Sequence, residues 1–119
     1  MLAALIVLVS AMQAFGEDEH LRILQRDWAQ CLIDRATNYA RLSEPAESIA
    51  RAAFGSCLEQ ERLYQTYLGN ISRQSLPETS VRERLIREHM AYARASMSEH
   101  IVGHVLDVRI ARSAPMPRD

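Results

Sequence analysis

Between Leu21 and Val108 the apolar residues recur three and four positions apart, and only two short proline-bearing stretches break the pattern. That spacing is the period of a helix with one buried stripe, and strand-like alternation is absent throughout. The chain should therefore be an all-α protein of three helices. The first spans residues 17–42, with Leu21, Leu24, Trp28, Cys31, Leu32, Ala36, Tyr39 and Ala40 on its stripe. Ser43-Glu44-Pro45 then closes it and opens the second, because proline fits a first turn and serine is a good N-cap. The second helix spans 44–68 through Ile49, Ala53, Phe54, Cys57, Tyr64 and Leu68, and Gly69-Asn70 reads as its stop. Ser75-Leu76-Pro77-Glu78 resembles a capping box, so the third helix is expected over 77–111. This last helix is the longest, and either overhangs the hairpin or bends near Gly103.

Two cysteines turn the first two helices into a geometric claim. Cys31 lies twelve positions before Ser43 and Cys57 fourteen after it. At 1.5 Å of rise per residue the two sit ~18 and ~21 Å from the turn, at one height in an antiparallel hairpin. Small neighbours, Ala36, Ala50, Ala52 and Ala53, would allow the approach that a disulfide requires. Closing such a loop stabilises a domain by about 3 kcal/mol in the chain-entropy account. Buried free thiols are the alternative. A redox pair is disfavoured, because such pairs are usually Cys-x-x-Cys.

The first sixteen residues carry an apolar run, Leu2–Val9, then Ala14-Phe15-Gly16 before the acidic Glu17-Asp18-Glu19. The run has the length of a signal-peptide core and is too short to span a bilayer. Residues 1–16 are thus expected to be an export signal, with a retained membrane anchor or a buried helix as alternatives. Export into a periplasm or the medium would provide the oxidising compartment that the disulfide needs. The rest divides into one helical domain, 17–111, and a Pro-punctuated tail, 112–119.

Composition narrows function more than it assigns it. Fourteen basic and fifteen acidic residues are interspersed and the net charge is −1, so no basic face awaits nucleic acid. Membrane contact is expected only through the N-terminal segment, and only where that segment is retained. No nucleophile elbow, P-loop or dinucleotide glycine pattern occurs, and His100-Ile101-Val102-Gly103-His104 lacks the glutamate of a zinc-protease motif. The chain is read as non-catalytic, with no required cofactor. A metal remains an alternative: His89, Met97, His100 and His104 fall on one side of the third helix, and imidazole with thioether suits copper or zinc. The preferred reading is a partner-binding or structural module. Tyr67 and Tyr92 are the candidate contact residues, and the partner is another protein or, along the overhanging helix, a second copy. A periplasmic acid or stress chaperone is a further alternative by architecture alone.

The runs Trp28-Ala29-Gln30-Cys31-Leu32, Tyr39-Ala40-Arg41-Leu42-Ser43-Glu44-Pro45-Ala46 and Ala52-Ala53-Phe54-Gly55-Ser56-Cys57 resemble small secreted helical proteins of proteobacteria. The resemblance implies export and the helical hairpin, and it implies no activity.

Overall fold

A computed structural model describes residues 18–113. They form four helices and no strand: α1 (Glu19–Tyr39), α2 (Ala46–Ser56), α3 (Leu58–Ser75) and α4 (Thr79–Ser113). The expected leader, 1–16, lies outside the described residues, as do 114–119 of the expected tail. Arg112 and Ser113, assigned to that tail from sequence, instead complete α4.

Asp18 starts α1 as its N-cap, its carboxylate accepting the Leu21 amide at 2.9 Å. This satisfies one of the otherwise unpaired first-turn donors. A tight turn follows α1, and Pro45 rather than Ser43 takes the N-cap position of α2, without any side-chain cap. The expected second helix is two helices. Cys57 leaves helical geometry, with φ −116° and ψ 26°, and serves as both the end of α2 and the start of α3. Its amide bonds the Phe54 carbonyl in a tightened turn. Gly55 and Ser56, both weak helix formers, precede the break, and Ser56 turns its hydroxyl back onto the Ala52 carbonyl. The stop expected at Gly69-Asn70 is also absent. Neither residue has a positive φ, and α3 continues to Ser75.

The break wraps α2 and α3 around Trp28. That indole is fully buried, meets Phe54 edge-on at 6.1 Å and lies tilted against Tyr64 at 5.6 Å. One turn along α1, Cys31 is bonded to Cys57 across a Cα–Cα distance of 6.0 Å. Ala36, Ala50 and Ala53 are buried as the close approach demands, whereas Ala52 faces outward. Helix α1 packs on the other three, and α4 packs on α1, α2 and α3. Leu32, Ile49, Leu68, Met90, Ile101 and Val105 fill the space between them. At 1.5 Å per residue α4 is ~52 Å long, and it sets the long axis of a molecule measuring 62 × 34 × 23 Å. It stays one continuous helix through Gly103.

Candidate functional site

Sequence placed four candidate ligands on one side of α4, and the folded chain sets His89 apart from the rest, while Met97 and His100 line one groove and His100 and His104 another. His89 and His100 are eleven residues apart, ~16 Å along the helix axis, so they cannot share one centre. The angular coincidence that linked them ignored the rise between turns. His89 instead stacks on Tyr64, and its Nε2 is 2.7 Å from the phenol oxygen. Burial pushes the His89 imidazole below its ordinary value and the Tyr64 phenol above its own. The two groups share one hydrogen bond, whose direction follows the tautomer of the ring. His104 is tied to α1. Thr37 gives its hydroxyl proton to the Ile33 carbonyl at 2.7 Å, so His104 Nε2, 2.8 Å away, must donate to the Thr37 oxygen. Met97 turns toward the groove between α1 and α4, beside Leu32 and Ile33. His100 is exposed. Among the described residues no three His, Cys, Asp or Glu side chains are grouped as metal ligands.

The two tyrosines also part company. Tyr67 is half-buried, and its hydroxyl donates to both carboxylate oxygens of Asp18 at 3.0 Å. Its ring meets His20 edge-on at 4.5 Å. Together the Leu21 amide and the Tyr67 hydroxyl hold the Asp18 carboxyl below its usual range, and that carboxylate raises Tyr67 in turn. This tyrosine fastens the start of α1 to α3, so its hydroxyl is engaged within the fold. Tyr92 is the opposite case, at 71% exposed.

Tyr92 belongs to a row. On the side of α4 turned away from the other helices, Leu85, Tyr92, Glu99 and Leu106 repeat every seven residues. Ser96, Gly103 and Ile110 form a second sevenfold series offset by four. A 4-3-4-3 spacing of this kind is the seam of a helix that meets another helix lengthwise. Leu85, Leu106 and Ile110 are exposed at 39%, 48% and 67%. Gly103 sits in the row with no positive φ, and a Cβ there would meet nothing within 4 Å. A glycine inside a helix costs about 1 kcal/mol relative to alanine, and no contact among the described residues requires it.

Several binding residues that matter to the fold were not visible in the sequence. Arg109 donates to three carbonyls of the turn after α1: Ala40 at 3.0 Å, Leu42 at 2.6 Å and Glu44 at 2.5 Å. Arg94 reaches Glu61 of α3 at 2.6 Å. Both partnerships span more than thirty positions, and no local pattern announces them. The Trp28 indole N–H is buried without a hydrogen-bond partner among the described residues.

No helix among the described residues is long and apolar enough to cross a membrane. No protein-family model, curated protein or solved structure matches the chain.

Proposed function

We propose that this chain is an exported, non-catalytic helical module that binds a protein partner through the outward face of α4. The observation that carries the reading is the exposed row Leu85, Tyr92, Leu106 and Ile110, aligned at helix-packing spacing around an otherwise unneeded glycine. Isolated exposed apolar residues are ordinary on any surface, but several in one register with an aromatic among them are typical of a binding patch. The Cys31–Cys57 bond supports export, since disulfides persist in oxidising compartments. It also removes both thiols from chemistry, because no cysteine is free. His89 and His104 are each engaged in holding α4 to the bundle.

The test is a photo-crosslinking amino acid placed at Tyr92 of the full chain, expressed in a bacterium, with the same group at Arg35 on α1 as control. Both positions are exposed. Irradiation should give a discrete protein adduct from position 92 and none from position 35. Equal yields, or no adduct from position 92, would overturn the reading.

A further inference from the structure

We infer that the occupant of the outward face of α4 is a second copy of this chain, running antiparallel. This rests on the reading of that face as a binding surface, and it identifies the partner. Apart from Leu106, which falls opposite His89, the row is complementary to itself. When two α4 helices lie antiparallel with their crossing point between Met97 and Ser98, Leu85 faces Ile110 of the second copy and Tyr92 faces Gly103. In the same register Ser96 faces Glu99, placing a hydroxyl donor against a carboxylate. The largest side chain of the row thus meets the row's one position with no side chain, where a Cβ would find only open space among the described residues. The helical glycine, which no contact among the described residues requires, acquires a reason: it receives the tyrosine ring.

Two further observations fix the register. First, the crossing point lies close to the middle of α4, so this pairing overlaps residues 82–113 of the two helices, nearly their full length. Their dipoles then oppose, which favours the arrangement. Second, sliding one helix by a heptad in either direction separates Tyr92 from Gly103 and Leu85 from Ile110, and moves Glu99 away from the serine. Polar residues in such a seam weaken association while selecting one alignment. Glu99 fills that role, because no hydrogen bond or ion pair holds it among the described residues and it lies exposed at the centre of the row. The two bundles sit on opposite sides of the paired helices, since α1, α2 and α3 all pack on the inward side of α4.

Sedimentation of the oxidised full chain, from micromolar to about 1 mM, tests this directly. The wild type should pass from monomer to dimer within that range. Glu99→Leu should tighten the dimer at least tenfold, and Tyr92→Ala should weaken it at least tenfold. Gly103→Glu should abolish it, with circular dichroism confirming that the variant is folded. Gly103→Ala is the second variant, expected to melt higher as a monomer yet associate more weakly. Mixing Tyr92→Cys chains with Gly103→Cys chains should give a heterologous disulfide. Neither chain should cross-link to itself, since like positions are ~16 Å apart in this register. If Glu99→Leu stays monomeric throughout, or Gly103→Glu associates like the wild type, the second copy is overturned. An adduct from position 92 with a different protein, alongside monomers in sedimentation, would also overturn it while leaving the binding surface intact. Failure to form any adduct would remove both.

Discussion

The wrap around Trp28 and the outward face of α4 are built on opposite terms. At Trp28 three aromatic rings, a disulfide and a helix break converge, and each constrains the others. Cys57 breaks a helix there, and the break is what brings Phe54 and Tyr64 to either side of the indole. On the outward face of α4, residues accept unfavourable surroundings, with exposed Tyr92 and Ile110 and a helical glycine, and nothing among the described residues compensates. Local rules broken with an intramolecular gain indicate packing, whereas rules broken without one indicate a use beyond the monomer. The contrast makes the two regions separable by experiment.

The largest effect should come from the clamped region. Replacing both cysteines by serine should lower stability by about 3 kcal/mol, read as a drop in thermal midpoint, and should leave the face of α4 unaltered. If the double variant melts with the wild type, the disulfide contributes nothing and the contrast collapses. Next in size is Arg109→Ala, which frees the Ala40, Leu42 and Glu44 carbonyls. Loss of these partly exposed, charge-assisted bonds should cost about 1–2 kcal/mol in denaturant unfolding. Substitution of the outward glycine should act in the other direction. Gly103→Ala is expected to stabilise the monomer by up to about 1 kcal/mol, measured at dilute concentration, and a destabilised variant would mean that an unseen intrachain contact holds it.

The shallowest expected effect is a dependence on pH. Burial lowers the His89 pKa in the fold, so the unfolded chain takes up its proton first as pH falls. The associated stability is full above the unfolded value of about 6.5 and is lost progressively below it. Melting should therefore fall between pH 7.5 and 5 in the wild type, and His89→Gln should flatten that slope. An unchanged slope in the variant would assign the dependence to other groups.

Much of the fold was legible. The stripe gave the helix positions, and the Cys31–Cys57 bond followed from counting rise on either side of the turn. That count survived the helix break because the break falls at Cys57 itself, beyond the stretch over which it was made. The break was not legible, since Gly55-Ser56 weakens a helix without ending one, and it is tertiary packing on Trp28 that decides. Gly69 misled for the converse reason. It lies inside α3 and faces Ile86, whose Cδ1 would be 3.9 Å from an added Cβ. Of the candidate site, Tyr92 could be found because exposure follows from its place opposite the stripe. The histidines could not be separated by a helical wheel, which discards distance along the axis. The ties from Asp18 to Tyr67 and from Arg109 to Leu42 join residues 49 and 67 positions apart, beyond any local pattern.

The bond between Cys31 and Cys57 also determines how the molecule responds to tension. The 26 peptide units between them carry no load while the bond stands. At ~3.5 Å of contour per residue, a chain pulled from its two ends should reach an extension ~90 Å shorter when oxidised than when reduced. Trp28 lies outside that covalent loop and on the load path, whereas Phe54 lies within it. Stretching would therefore draw the indole away from a neighbour that the force itself cannot reach.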